Sequence, residues 1–431
     1  MIVNPLTYIC LISILIEAQH VHNNDDDDDN HCSVNICQNN GQCYNYTTSN
    51  NTPVCICQKC YTGEQCEYNN NIIRLSLASA MLTDIHSTPS SENGPKSAYI
   101  IVTTVLCLIS IVNNLICLQI FISRGIKRRS IQTRTKMNVV GNTNVKDNKS
   151  LGDNRIYLIL YCFYSLIAML ELESRVILML NDQRTLHYQF YSCNIAPVFS
   201  TMMIHLTLWI SAFVMAERVL KMLKLVFDDT IWRRSVIVNV ILLVVIASSH
   251  VHEIFGRRAL PDPLLPDSYI CSFDYTKKYL SILDDVFAIV HIAIPCLIHI
   301  ICIVFTVIRT HYFPTGDSTA EPDVATPTNR SWLNDIKTNR EYLIPPILII
   351  VCSLPHFLFA HVISHCIEST RLGSLRLHII LNLLVFIPQT ITFFIYIQPA
   401  ESYRNEYRES KTGRFINKFC RSCCCNRYRI T

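Results

Sequence analysis

Seven apolar runs organise the chain, at residues 98–122, 155–180, 193–220, 235–254, 282–309, 341–364 and 374–398. A helix rises about 1.5 Å per residue and the hydrocarbon layer is about 30 Å thick, so a crossing needs about 20 apolar residues. Each run is near that length. Half of the 431 residues are hydrophobic and only 16% are charged, where a soluble domain carries roughly a quarter. The expected fold is an all-α transmembrane bundle of seven helices. An odd number of crossings puts the two chain ends on opposite sides. The cations decide which side is which. Arg124, Lys127, Arg128, Arg129, Arg134 and Lys136 follow the first run, Lys221, Lys224, Arg233 and Arg234 follow the third, and Arg404, Arg408, Lys411 and Arg414 follow the last. Arg257, Arg258, Lys277 and Lys278 oppose them. The majority places the N-terminus outside. A net charge of +4 is too small for a nucleic-acid footprint, and no basic–aromatic interleaving is present, so no nucleic acid is expected as a partner.

Of 21 cysteines, seven fall between residues 32 and 66, a density that belongs to an oxidising compartment. Their spacing is Cys32-x4-Cys37-x5-Cys43-x11-Cys55-x-Cys57-x8-Cys66, with Asn39-Asn40-Gly41 before the third and Tyr61-Thr62-Gly63 before the last. This pattern resembles an EGF-like module, a small disulfide-rich β fold. So short a segment cannot bury a sufficient core, and disulfides must hold it. The resemblance implies the pairs Cys32–Cys43, Cys37–Cys55 and Cys57–Cys66. Cys60 stands where the family usually has Gly. The acidic run 25–29 does not match the calcium-binding subtype, so no metal is expected.

The remaining divisions follow composition. Residues 1–18 read as a signal peptide, 19–31 as an acidic tail, 32–67 as the module, 68–97 as an extracellular stalk, 98–398 as the bundle and 399–431 as a cytoplasmic tail. Asn45 and Asn50 head glycosylation sequons. Cys420, Cys423, Cys424 and Cys425 follow a basic stretch and suit palmitoylation, which would bring membrane lipid to the tail.

The third run starts at Cys193 and ends in Glu217-Arg218-Val219. That arrangement resembles the third helix of rhodopsin-like G-protein-coupled receptors. The resemblance implies a disulfide from Cys193 to Cys271, and a switch in which Arg218, with Glu217 beside it, pairs with Asp335 at the foot of the sixth run. It extends to Cys352-Ser353-Leu354-Pro355, where Ser353 replaces the family's tryptophan and Pro355 breaks a helix hydrogen bond. It extends also to Tyr396, followed by Tyr403 and Tyr407, and to Asn114, whose buried amide is expected to tie the first run to the second and seventh. Ten outward cysteines, four bridges and two remainders leave Cys60 and Cys366 as a further pair.

The ligand is narrowed by what is missing. Ser200 stands where amine receptors have Asp, and Phe386 where visual pigments have Lys. Glu171, Ser200, Thr201, His356 and Phe357 remain as pocket candidates, Glu171 being costly in hydrocarbon and four residues from Arg175. His205, His250, His252, His291 and His299 are scattered through the runs without a helical metal-binding motif, and read as polar-cavity residues. No catalytic constellation stands out, so no enzyme activity and no cofactor are expected. The resemblance implies a plasma-membrane receptor coupling an extracellular ligand to a heterotrimeric G protein, with a protein partner for the module. The alternative is a cell-surface adhesion protein that keeps the bundle as an anchor.

Overall fold

The computed structural model describes residues 36–38, 41–45, 53–57, 61–62, 65–66, 68–69, 77, 80–81, 84–85, 93–138, 155–180, 190–223, 231–261, 269–273, 278–312, 339–361 and 372–416. The expected leader and acidic tail, Cys32, Asn50, Cys60, Asp335, Cys366 and the cysteines at 420–425 lie outside the described residues.

The chain divides into two units, Met1–Asn70 and Asn71–Thr431. In the first, β1 (Gln42–Asn45) pairs antiparallel with β2 (Pro53–Ile56), with Cys43 opposite Cys55. Tyr61–Thr62 pair with Tyr68–Asn69, two residues past the expected module boundary. Cys37 is bonded to Cys55 and Cys57 to Cys66, two of the pairings the spacing resemblance implies. Cys43 is disulfide-bonded as well. Gly41 sits against this sulfur core. A Cβ there would meet Cys66 Sγ at 2.7 Å and Cys37 Cβ at 3.1 Å, so the position has no room for a side chain.

Among its described residues the second unit holds six helices long and apolar enough to cross a membrane: Pro95–Ser123, Arg155–Leu178, Cys193–Met222, Ser235–Gly256, Ile282–Thr310 and Arg340–Ala360. They coincide with the first six apolar runs and make the chain a multi-pass membrane protein. Val105, Leu108, Val112, Val244 and Ile301 point outward and stay exposed, as a lipid-facing surface requires. The interior is packed around Phe121, Leu158, Tyr161, Leu206, Ile210, Ile395 and Tyr396.

The seventh run is not one continuous helix. Leu372–Val385 is followed by a turn at Phe386, a single helical turn Ile387–Thr390 and a π-helical stretch Phe393–Ile397. Pro388 offers no N–H to the ladder. Beyond it Phe394 N donates to Ile391 O at 2.9 Å instead of to Thr390 O four residues back. The carbonyls of Gln389 and Thr390 are thereby released. An unpaired carbonyl in hydrocarbon costs several kcal/mol, and the first helix supplies the donors. Asn114 Nδ2 bonds Gln389 O at 2.8 Å, Ser110 Oγ bonds the same oxygen at 3.3 Å, and Asn113 Nδ2 bonds Thr390 O at 2.9 Å. The expected tie from Asn114 to the last run is therefore present, and it exists because that run is broken.

The segment expected as a stalk also differs. Its described residues Leu77, Ala80, Met81 and Ile85 are buried against Met169, Leu172, Val176, Leu375 and Ile379. Asp84, 3% exposed, accepts hydrogen bonds from Tyr99 Oη at 2.7 Å and Arg376 Nε at 2.8 Å. The apolar patch is too short to span a bilayer, but its spacing puts one face on the bundle.

Candidate functional site at the two ends of the bundle

At one end, a hairpin braces the start of the third helix. Arg257–Pro261 pair antiparallel with Tyr269–Phe273, Ala259 opposite Cys271. The π turn Tyr191–Ile195 carries Cys193, which is disulfide-bonded, and packs against both strands. Asn194 Nδ2 donates to Ile254 O at 3.0 Å and Arg257 O at 3.1 Å, binding this turn to the end of the fourth helix.

Below the hairpin lies a cavity of about 210 Å³. Ser200, Thr201 and His356 line it, as the sequence suggests; Phe357 is not on its wall. Glu171 stands off the wall, beside Arg175 and Ser200. Neither of its carboxylate oxygens accepts a hydrogen bond among the described residues. The larger surprise is the histidines. His205, His250 and His291 stack with ring centroids 4.9 to 5.5 Å apart. His205 Nδ1 lies 2.8 Å from His250 Nε2, and His250 Nδ1 bonds Glu253 Oε1. Glu253 Oε2 accepts from Arg257 Nη2 at 2.8 Å. His291 is held by Trp209 Nε1 at 3.2 Å and Ser249 Oγ at 2.7 Å. These residues come from three helices, so their grouping has no signal in linear spacing. The one legible fragment is His250 followed three residues later by Glu253. Among the described residues no group of three or more His, Cys, Asp or Glu is set to hold a metal ion.

At the opposite end, Arg218 reaches the sixth helix. Its Nη1 donates to Glu341 O at 2.9 Å. The reason lies in the sequence: the residue four beyond Glu341 is Pro345, which has no N–H to fill that carbonyl. Arg218 takes the place of the missing backbone donor. Its guanidinium also lies 5.9 Å from the Tyr396 ring centroid, within cation–π range. Tyr396 is fully buried, stacked edge-on against Tyr161 at 5.1 Å, and its hydroxyl donates to Ser211 Oγ at 2.9 Å. Glu217 pairs along its own helix with Lys221. Arg340 Nε donates to Pro399 O at 2.9 Å, fastening the foot of the sixth helix to the chain beyond the last run. There Glu401–Glu409 forms a short helix whose Tyr403 packs on Phe121 and Tyr407 on Phe393. Pro345, Pro346 and Pro355 all lie inside the helix Arg340–His361. Glu341, Ser211 and Gln389 were not legible as site residues, because each acts through a partner distant in sequence: Arg218 on the Glu341 carbonyl, the Tyr396 hydroxyl on Ser211, and the Gln389 amide on Thr207.

No family model and no curated protein matches this chain.

Proposed function

We propose that the protein is a rhodopsin-like seven-helix receptor with an EGF-like module outside the plasma membrane. The broken segment 372–397 is its seventh crossing. A ligand entering beside the hairpin that braces Cys193 shifts the population toward a bundle whose sixth helix swings away at the Arg218 end, where a G protein docks. The protein acts without a catalytic step or cofactor. Leader removal at Ala18, glycans on Asn45 and Asn50, and palmitoylation of the tail cysteines belong to the same reading.

One observation carries it: Arg218, on the third helix, meets both the Glu341 carbonyl on the sixth and the Tyr396 ring on the last segment. An arginine that only anchored its helix would extend to the lipid headgroups. This one supports the two elements whose separation the mechanism requires.

The test uses full-length protein in cells carrying a promiscuous G-protein reporter, with surface level measured in parallel. Asp335→Arg raises basal activation, and adding Arg218→Ala abolishes the rise. Normal surface level with no response to either change refutes the receptor reading and favours the adhesion reading.

A further inference from the structure

We propose that the cavity beside the histidine stack binds a small monocarboxylate together with one proton, which the His205–His250 pair holds. The role of this ligand as a signal rests on the receptor reading; its chemistry is testable without it.

The tautomers follow from the partners. Trp209 Nε1 can only donate, so His291 Nδ1 accepts and carries no hydrogen. His291 Nε2 then donates to Ser249 Oγ, whose own hydroxyl is given to Ile246 O at 2.8 Å. His291 is neutral and fully engaged, so an added proton goes elsewhere. Glu253 can only accept, so His250 Nδ1 donates to it. Between His250 Nε2 and His205 Nδ1, 2.8 Å apart, there is room for one hydrogen. In the neutral state it belongs to His205. With one more proton, His250 becomes an imidazolium against the Glu253 carboxylate and donates to His205 Nδ1. His205 then carries its hydrogen on Nε2, on the ring edge left for the cavity it lines. Protonation breaks no hydrogen bond and turns an acceptor into a donor.

Among the charged residues that line it, the cavity is balanced without a ligand. Arg175 from the second helix and Arg257 beyond the fourth face Glu253 and Asp284. His356 from the sixth helix and His378 from the last segment complete the protonatable groups, with Glu171 behind Arg175. An anion arriving alone would leave a net buried charge, which is expensive. One arriving with a proton leaves none. The wall also has donors in excess. Ser353 Oγ, on a residue 2% exposed, and Arg257 Nε have no hydrogen-bond partner among the described residues. Both call for an acceptor, and carboxylate oxygens supply two. The rest of the wall is apolar, including Leu77, Ile204, Leu208, Phe287 and Phe386. The volume of about 210 Å³ lies below the usual drug-sized range. That combination selects a short acyl or single-ring acid over a peptide or a lipid. No bond of the ligand changes: the carboxylate stays an anion, a proton taken from water adds to His205 Nε2, and the proton on His205 Nδ1 passes across the 2.8 Å contact to His250 Nε2.

The experiment uses purified full-length protein in nanodiscs, titrated calorimetrically with butyrate and benzoate against butyramide and benzamide. The acids bind and the amides do not. Affinity for the acids falls as the pH is raised, because one proton enters with each anion. Heats compared in two buffers of different ionisation enthalpy give an uptake of about one proton per ligand, a measurement that needs no variant. His205→Gln, with an unchanged unfolding midpoint in the absence of ligand, loses the pH dependence. Equal binding of acids and amides, or acid binding without proton uptake, overturns the proposal, as does a response to pH with no carboxylate bound. Binding is measured without a G protein, so a protein that takes the acid but never signals refutes the receptor reading and leaves this one standing.

Discussion

The ion pair between Asp84 and Arg376 gives an asymmetric prediction, because the two partners are buried to different depths. The Asp84 side chain is 4% exposed and that of Arg376 is 50% exposed. Removing Asp84 leaves a guanidinium that water can reach and a Tyr99 hydroxyl without its acceptor. A hydrogen bond to a charged group is worth about 1.5–3 kcal/mol when buried. The half-exposed side contributes only about 0–1 kcal/mol, as surface ion pairs do. Asp84→Ala should therefore cost about 2 kcal/mol. Removing Arg376 instead leaves a buried carboxylate that still accepts from the neutral Tyr99 hydroxyl. Breaking a buried pair from that side costs about 3–5 kcal/mol, reduced to about 3 by the exposure of Arg376. Arg376→Ala should thus destabilise more than Asp84→Ala, and the double variant should return to the Asp84→Ala value. The assay is thermal unfolding in nanodiscs, where about 1 kcal/mol moves the midpoint by roughly 2 °C for a body of this size. If Asp84→Ala proves the more damaging, or the double variant equals the sum of the singles, the segment 77–85 is not anchored by this pair.

Two further changes probe the released carbonyls. Asn114→Ala removes the 2.8 Å bond to Gln389 O from a fully buried site and should lower stability by about 1–3 kcal/mol, read by the same unfolding assay; a neutral result would mean that the Ser110 and Thr392 hydroxyls, which donate to the same oxygen, satisfy it without the amide. Pro345→Ala restores a backbone N–H opposite Glu341 O, competing with Arg218 for that acceptor. It should make the helix locally more stable by about 1 kcal/mol or more while raising basal activation in the reporter cells, and unchanged basal activation would show that the Arg218 contact does not restrain the sixth helix.

The helices were legible where hydropathy alone determines them: six of the seven apolar runs became membrane-length helices within a few residues of their expected bounds. The disulfides Cys37–Cys55 and Cys57–Cys66 were legible because cysteine spacing is a strong constraint in a segment too short for a core. The residues 77–85 were not. Five described positions there are buried, but a patch of that length carries the same composition whether it lies in a linker or on a helix bundle. What distinguishes the two is Asp84, whose partners Tyr99 and Arg376 are 15 and 292 residues away. The histidine stack fails for the same reason. His205, His250 and His291 each look like a lone polar residue on an apolar helix, and only the crossing of three helices brings the rings together.

Prolines and buried polar side chains in this bundle answer one another. Pro345 leaves the Glu341 carbonyl open, and Arg218 fills it. The break after Pro388 releases the carbonyls of Gln389 and Thr390, and Ser110, Asn113 and Asn114 fill those. Gln389 in turn donates its side-chain amide to Thr207 Oγ1 at 3.1 Å, linking the broken segment to the third helix. In water such carbonyls would be solvated and the polar residues would be free to vary. In hydrocarbon each released group needs a protein or water partner, so a proline on one helix fixes the residue type on its neighbour. Pro388 lies eight residues before Tyr396, earlier than the resemblance would place a proline, and the carbonyls opened by the irregular turn after it are met by Ser110, the Asn113-Asn114 pair and Thr392 rather than by a single amide. Breaks of this kind are also where a helix can move at least cost, because side-chain donors can follow or release a carbonyl without unwinding a turn. The third helix meets both breaks, through Thr207 at one and Arg218 at the other. On the proposed receptor reading, a change at the cavity end that shifts His205 would reach the sixth helix and the last segment through these contacts of the same helix.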